Sequence, residues 1–236
     1  MRSSRLVPAT FSARPNRFIV EARLTSGRLV QAHLADPGRI RELLIPNALL
    51  RLRPAPHGAA RSTRYSVALV RSSVSPRPWV SLDTTLPNRL AEDLLTRGFV
   101  VRVGKKWTIQ REFRHGRSRF DFRLHCLGGD EILVEVKSVT LVVEGLARFP
   151  DAPTARGTRH LRELERYARS GGRALLLFIV QRDDARAVVP NNTIDPAFTH
   201  ALVSAARAGV LLRAVRFHLT PSGRATYRGP LPIHLH

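Results

Sequence analysis

The sequence lacks features on which several common classes of protein depend. Cys126 is the only cysteine among the 236 residues, which excludes an intramolecular disulfide framework and a cysteine-rich zinc site. No disulfide-linked partner is expected. No apolar run is long enough for a membrane-spanning helix, and the N-terminus has no apolar stretch of the kind a secretory signal requires. The sequence therefore predicts a cytoplasmic protein without a membrane span.

Acidic residues are scarce as well. The chain has 18 Asp and Glu against 39 Lys and Arg, which gives a net charge of +21 at pH 7. So many excess positive charges on one small protein repel each other, and binding to a polyanion relieves that repulsion. Nucleic acid is favoured over an anionic membrane surface, because no basic amphipathic helix with aromatic anchors is visible. Only three of the basic residues are lysines. A GC-rich genome explains the low ratio of lysine to arginine, but it does not explain the net positive charge.

The first 82 residues read as a small β-structure. Residues 17–25 and 28–34 alternate apolar and polar side chains around Ser26-Gly27, which predicts a hairpin. Further short apolar runs lie between Pro- and Gly-rich breaks, at 48–53, 64–71 and 79–82. Five short strands predict a small barrel or sandwich, and the OB-fold is the member of that class that binds nucleic acids.

From residue 83 onward the apolar residues recur at longer, helix-like intervals. This pattern predicts a second, α/β domain over 83–236 with a mixed sheet. The segments 86–97, 156–169 and 195–208 have helical spacing. Residues 173–180 form a continuous apolar run of strand length, typical of a strand buried on both faces. The remaining strands are predicted at 106–114, 119–126, 131–137 and 211–219.

Asp121 and the triplet Glu135-Val136-Lys137 carry the clearest chemical signal. Successive side chains of a strand point to opposite faces, so Glu135 and Lys137 share one face. A short connection containing Gly128-Gly129 would pair the strand of Asp121 with that of Glu135. Two carboxylates, with water and the carbonyl of Val136, can hold Mg²⁺, or Mn²⁺ in its place. The lysine can orient a water molecule and stabilise charge on phosphorus. An exposed cross-strand salt bridge is the alternative interpretation of the triplet, but the upstream Asp121, the preceding acidic helix and the following helix and buried strand favour a site.

The order of elements and the Asp…Glu-x-Lys pattern resemble the PD-(D/E)XK nuclease superfamily. Longer stretches resemble the sugar fermentation stimulation protein A (SfsA) family: SRFDF at 118–122, VEVKSVTL at 134–141, FPDAPTARGTRHLREL at 149–164, NRL at 88–90, NRF at 16–18 and HLADPGRIRELL at 33–44. The resemblance implies an N-terminal OB-fold joined to a C-terminal PD-(D/E)XK-like domain, with DNA binding and a Mg²⁺-dependent nuclease activity. It also implies that Asp121 and Glu135 are metal ligands and Lys137 the catalytic lysine.

Four further candidates flank this pattern. Glu92 on the preceding helix is an additional ligand candidate or a solvated charge, and Asp151 is a site candidate or a turn-stabilising residue. Arg156 and His160 open the helix at 156–169 and are assigned to phosphate binding, with His160 also a candidate general base. A glycine as early in that helix as Gly157 predicts the close approach of another group, such as a phosphate.

Several arginines are assigned to nucleic-acid binding. Arg51 and Arg53 share a strand face, as do Arg17 and Arg23, so each pair could follow a phosphate backbone. Phe18 lies on the apolar face of its predicted strand and is expected in the core. The remaining assignments are Arg39, in the cluster around Asp36-Pro37-Gly38, and Arg119, two residues before Asp121.

Two functions follow from these residues. The first is a nuclease that hydrolyses phosphodiester bonds in DNA or RNA with Mg²⁺. The second is a non-catalytic DNA-binding regulator of sugar metabolism that keeps a vestigial site. A ribosomal or other RNA-binding protein is disfavoured, because such proteins rarely need an acidic cluster inside a basic field.

Overall fold

A computed structural model describes residues 5–36, 38, 40–56, 58, 62–101, 107–126 and 128–235. The chain divides into two compact units. The first contains Met1–Thr84 together with Gln181–Asp184 and Phe217–Arg228, and the second contains Thr85–Val180, Ala185–Arg216 and Gly229–His236. No helix in the described part of the chain is long and apolar enough to cross a membrane.

The first unit contains a closed five-stranded barrel. Its strands are β1 (Val7–Asn16), β2 (Ile19–Leu24), β3 (Leu29–His33), β4 (Leu49–Pro54) and β5 (Tyr65–Arg71). They pair in the order β3-β2-β1-β4-β5, and a parallel pairing of β3 with β5 closes the barrel. Strand β6 (Trp79–Ser81) adds to β5 outside this closure. The predicted OB-fold is confirmed.

The barrel strands form where apolar and polar residues alternate, because alternate side chains point into the barrel and are buried. Val20 and Ala22 of β2, and Leu50 and Leu52 of β4, point inward and are fully buried, while the intervening residues face outward. Two expectations were wrong at this end of the chain. Strand β1 was absent from the predicted set of five, in which β6 took its place, and Phe18 lies in the β1–β2 turn with 43% of its surface exposed.

The second unit contains most of a mixed sheet. The bounds are α1 (Leu86–Thr96), β7 (Trp107–His115), β8 (Ser118–Cys126), β9 (Glu131–Val139), α2 (Ala155–Arg169), β12 (Arg173–Val180), α3 (Pro196–Arg207), β14 (Leu211–Leu219) and β15 (Ala225–Leu231). The sheet order is β15-β14-β12-β9-β8-β7, and the end of β14 and most of β15 are assigned to the first unit. Neighbours β7, β8 and β9 are antiparallel, whereas β9, β12 and β14 are parallel. The predicted α/β class and mixed sheet are confirmed.

Helix α2 lies in the crossover between the parallel strands β9 and β12 and packs on α3 and on the sheet. Its buried residues Leu161 and Leu164 join Leu176 and Phe178 of β12 in one core. A small second sheet, missed from the sequence, consists of β10 (Val142–Val143), β11 (Leu146–Phe149) and β13 (Ala187–Pro190). The core therefore fixes α2 against the strands that carry the candidate site.

Candidate active site

Strands β8 and β9 bring Asp121 to the triplet that contains Glu135. Their antiparallel register pairs Phe122 with Val134, and the next residue of each strand is Asp121 and Glu135. Oδ2 of Asp121 accepts a hydrogen bond from the backbone N–H of Val136 at 2.8 Å. Oδ1 accepts a second from Nδ2 of Asn88 on α1 at 2.7 Å. These two donors hold the carboxylate in one orientation.

Glu135 is buried in the middle of β9, with 3% of its surface exposed. Its Oε1 lies 2.6 Å from Nζ of Lys137 and 2.5 Å from Nδ1 of His160 on α2. A carboxylate only accepts hydrogen bonds, so the facing Nδ1 of His160 carries the proton. The second oxygen, Oε2, is buried and has no hydrogen-bond partner among the residues that the structure describes.

The two acids have pKa values shifted in opposite directions. Burial, followed by the neighbouring charge of Glu135, raises the pKa of Asp121. Burial also disfavours the charged form of Glu135, but Lys137 and His160 outweigh it and lower the pKa of Glu135. The contribution of Glu135 to the raised pKa of Asp121 agrees with their adjacent positions on β9 and β8. Paired acids with divergent pKa values are characteristic of catalytic and ion-binding sites.

These groups fit a hard divalent cation. The unpartnered Oε2 of Glu135 is a buried acceptor that a cation would satisfy. No three His, Cys, Asp or Glu side chains are placed to hold a metal among the described residues. Asp121 and Glu135 would therefore supply two oxygens and leave the rest to water, a backbone carbonyl or a phosphate. That donor set suits Mg²⁺, which is commonly held by one or two carboxylates.

The structure thus joins the three residues of the predicted pattern, Asp121, Glu135 and Lys137, and adds His160 and Asn88. His160 was assigned to phosphate binding, but it is only 2% exposed and contacts Glu135. Its position therefore suits orientation of the carboxylate and not direct contact with nucleic acid. Asn88 was missed, although the NRL stretch at 88–90 was among the residues that carried the family resemblance.

The flanking candidates Glu92, Asp151, Arg119 and Arg156 lie on four different segments of the chain. Both oxygens of Glu92 on α1 are engaged by the guanidinium of Arg111 on β7. Asp151 is half-buried in the loop between β11 and α2. Arg119 is exposed and paired with Glu112 at 2.7 Å, and Arg156 is exposed near the N-terminus of α2.

Gly157 is not open to a ligand. A Cβ atom at this position would lie 2.8 Å from Cγ2 of Thr154 and 3.3 Å from the ring of Phe198. The hydroxyl of Thr154 caps α2 by accepting from the N–H of Gly157 at 3.0 Å. The close approach predicted here is therefore made by the helix cap and by α3.

On the barrel, Arg17 lies in the β1–β2 turn over the ring of Phe18, and not on a strand face with Arg23 as predicted. Arg53 pairs with Asp83 at 3.0 Å, and the guanidinium of Arg51 lies 5.0 Å from the ring centre of Trp79. Arg51 also lines an open cavity of about 770 Å³ together with Arg5, Arg224 and neighbouring small and apolar residues. Arg39 falls outside the described residues.

Comparison with known proteins identifies the family. The family model described as the sugar fermentation stimulation protein RE domain matches residues 85–223, and the SfsA N-terminal OB domain matches residues 13–82. The chain belongs to the SfsA family. A sugar fermentation stimulation protein homolog of Moorella thermoacetica is 48% identical over 216 residues, covering 92% of this chain and 91% of the relative.

Two further similarities span almost the whole chain. A homolog of Symbiobacterium thermophilum is 43% identical over 240 residues, covering 96% of this chain and 94% of the relative. The solved structure of SfsA from Pyrococcus furiosus in complex with Ca²⁺ has a TM-score of 0.85 and 33% identity. It covers 99% of this chain and 98% of its own. SfsA folds of this kind therefore include one solved with a bound divalent cation.

Proposed function

We propose that this SfsA protein is a cytoplasmic, Mg²⁺-dependent nuclease. Its reaction is the hydrolysis of phosphodiester bonds in DNA, in RNA, or in both. The observation that carries the proposal is the buried, unpartnered Oε2 of Glu135 beside the oriented carboxylate of Asp121. An uncompensated acceptor of this kind costs stability unless a ligand satisfies it. A divalent cation with phosphate as a further ligand meets that need.

Each residue of the site would have a separate role. Asp121 and Glu135 would hold Mg²⁺ or Mn²⁺, with the carbonyl of Val136 as a third protein ligand. The chemistry that such a cation would supply is polarisation of the scissile phosphate and a lower pKa for a nearby water. Lys137, within 2.6 Å of Glu135, would orient that water and stabilise charge on phosphorus. His160 positions the carboxylate of Glu135 from α2.

The barrel would supply phosphate contacts. Its open cavity is lined by Arg5, Arg51 and Arg224, and none of the lining residues that the structure describes is acidic. Stacking on Trp79 restricts the orientations available to Arg51. Guanidinium groups bind phosphate through paired hydrogen bonds, so these arginines support nucleic acid as the partner of this unit.

The proposal is tested by cleavage of labelled duplex DNA, single-stranded DNA and RNA with Mg²⁺, with Mn²⁺ and with EDTA. Wild-type protein should cleave only with a cation. Asp121→Asn should lower the rate by about 100-fold, because a neutral amide oxygen remains near the cation but its charge is lost. Asp130→Asn is the matched control, since Asp130 is 74% exposed before β9. Equal cleavage by Asp121→Asn and wild type would indicate a contaminating nuclease.

A DNA-binding protein without turnover is the second candidate. It is favoured by one observation: Lys137 and His160 already engage Oε1 of Glu135, so the site is partly neutralised without a cation. This alternative predicts duplex binding that weakens steeply with salt. It also predicts no cleavage of any of the three substrates with either cation, in the same assay.

Asn88 is expected to act as a positioning residue. Its side chain donates to Asp121 from a different element of the chain, and loss of such an outer partner commonly lowers metal affinity 10–100-fold, by rough estimate. Asn88→Ala should therefore weaken Mn²⁺ binding by about tenfold in a calorimetric titration of the folded variant, with the modest loss of thermal stability expected when Oδ1 of Asp121 loses its donor. Exposed Asn192 provides the control, Asn192→Ala. A normal Mn²⁺ affinity in Asn88→Ala would remove Asn88 from the site.

A further inference from the structure

Helix α2 carries a continuous line of arginines on its outer face. Five arginines recur at intervals of three or four residues, which places them on one side of a helix. All five are exposed, while His160, Leu161 and Leu164 on the inner side are buried. We call this set the α2 arginine stripe: Arg156, Arg159, Arg162, Arg166 and Arg169.

The arginine content of the whole chain does not account for the stripe. Helix α1 has 11 residues and α3 has 12, and each contains one arginine. Both belong to the same unit and are equally subject to a genome that favours arginine over lysine. The concentration of positive charge on α2 is therefore a property of this helix and its face.

The stripe is electrostatically unfavourable in the protein alone. Each arginine has a like charge three or four residues away, which destabilises a helix. The first turn contains no acidic residue, so Arg156 also lies at the positive end of the helix dipole. Two acids of the helix compensate part of this charge: Glu165 pairs with Arg169 at 2.9 Å and interacts electrostatically with Arg162, and Glu163 lies 3.6 Å from Arg166. In the described part of the chain, Arg156, Arg159 and Arg162 take part in no salt bridge.

The turn between β7 and β8 extends the positive surface beside the stripe. The ring of His115 lies 5.0 Å from that of Tyr167 on α2, and Gly116 lies against the carboxylate of Glu163. Arg114 and Arg117 flank this contact and are both exposed. The same helix links this positive surface to the candidate site. The arginine stripe lies on the outer face of α2, and His160 on its inner face contacts Glu135.

We propose that the α2 arginine stripe binds the phosphate backbone of duplex DNA, which rests on the nuclease function proposed above and assigns its substrate class. From Arg156 to Arg169 a helix rises about 20 Å at roughly 1.5 Å per residue, which equals about six base pairs at roughly 3.4 Å each. The arginines are held at regular intervals by the helix, and the phosphates of a duplex are also regularly spaced, so several arginines can contact phosphates at once. The tyrosine of α2, Tyr167, is half-buried and its ring packs against that of His115, so it is not an open platform on which unpaired bases would stack.

The shape of the duplex favours DNA over RNA. The major groove of B-form DNA is about as wide as an α-helix, at roughly 12 Å, so a helix can approach both of its backbones. The major groove of duplex RNA is too deep and narrow for such an approach. Because phosphates and not bases are contacted, binding by the stripe is independent of sequence.

The test compares two triple variants by fluorescence anisotropy on a 20-base-pair duplex of mixed sequence, in EDTA so that no cleavage occurs. The stripe variant carries Arg156→Gln, Arg159→Gln and Arg162→Gln. The control carries Arg173→Gln, Arg207→Gln and Arg213→Gln, three exposed arginines of the same unit. Both lose three positive charges, so the control separates a local contact from an effect of net charge.

The stripe variant should bind at least about tenfold more weakly, and the slope of log affinity against log salt should fall by about two to three. The control should change affinity by no more than about twofold. Equal losses in both variants, or none in the stripe variant, would overturn the proposal. So would tighter wild-type binding to a single strand or to duplex RNA of the same length. Since the readout is binding without a cation, an inactive site would not affect these results.

Discussion

Replacement of Glu135 by glutamine should abolish cation-dependent cleavage while duplex binding in EDTA stays within about twofold of wild type. The expected fall in rate is on the order of 1000-fold, larger than for Asp121→Asn. Glu135 has two functions in the site, since Oε2 is the buried acceptor and Oε1 engages Lys137 and His160. Glutamine keeps the size of the side chain but loses the charge that both functions need.

The control for this variant lies on the same strand. Glu131 on β9 pairs with Arg123 at 3.1 Å and is 30% exposed, so Glu131→Gln removes an acid from β9 outside the site and should leave cleavage unchanged. If Glu135→Gln retained more than about a tenth of the wild-type rate, cleavage would not depend on this carboxylate, and the assignment of the active site would be wrong.

Thermal unfolding provides a second readout for the same variant. Lys137 and His160 lower the pKa of folded Glu135 below its ordinary value of 4.5. The ionised carboxylate therefore stabilises the fold above about pH 4.5, and this contribution disappears as the pH falls through the folded pKa. The difference in Tm between wild type and Glu135→Gln should narrow as the pH is lowered below 4.5. A difference that widens would show that the pKa shift has the opposite sign.

The core of the candidate site was predictable because its residues are close in sequence. Strand alternation places Glu135 and Lys137 on one face, and their side chains do meet at 2.6 Å. The connection before β9 is short enough to pair β8 and β9 directly, which brings in Asp121. Asn88 and His160 come from α1 and α2. Their hydrogen bonds depend on how each helix packs, which periodicity does not report.

The fold was predicted best where strands are long and apolar. Strand β1 was missed because Pro8 and Pro15 break its pattern and remove two backbone donors. The structure accommodates the second proline with irregular pairing, since the β1–β2 register shifts between Phe11 and Ala13 and again between Ala13 and Asn16. The small sheet has strands of two to four residues, which is too short for alternation to show.

Gly157 illustrates a different limit of sequence reasoning. A glycine in the first turn of a helix correctly indicated a close contact, but the sequence did not tell which group approaches. The side chains of Thr154 and Phe198 fill the space, so the residue serves the packing of α2 on α3. Only the tertiary structure distinguishes such a packing role from a ligand site.

Phe178→Ala should destabilise the protein by about 3–5 kcal/mol, the usual loss for truncation of a buried phenylalanine. Phe178 is 1% exposed on β12, where its ring lies 5.8 Å from that of Phe149. Strand β12 lies between β9 and β14, and the register pairs Phe178 directly with Lys137. A cavity here therefore adjoins the strand segment that carries Lys137, the lysine of the candidate site.

The measurement is the free energy of unfolding from urea titration, with cleavage assayed on the fraction that remains folded. Phe178→Leu should lose less stability, because part of the ring volume is retained, and it provides a folded variant if the alanine protein does not fold. Phe99→Ala is the matched control, since Phe99 is 56% exposed and surface truncations change stability by only about 0.5 kcal/mol. Similar losses in Phe178→Ala and Phe99→Ala would show that β12 is not the packed centre of this unit. A reduced cleavage rate in folded Phe178→Leu would show that packing behind Lys137 positions its ammonium group.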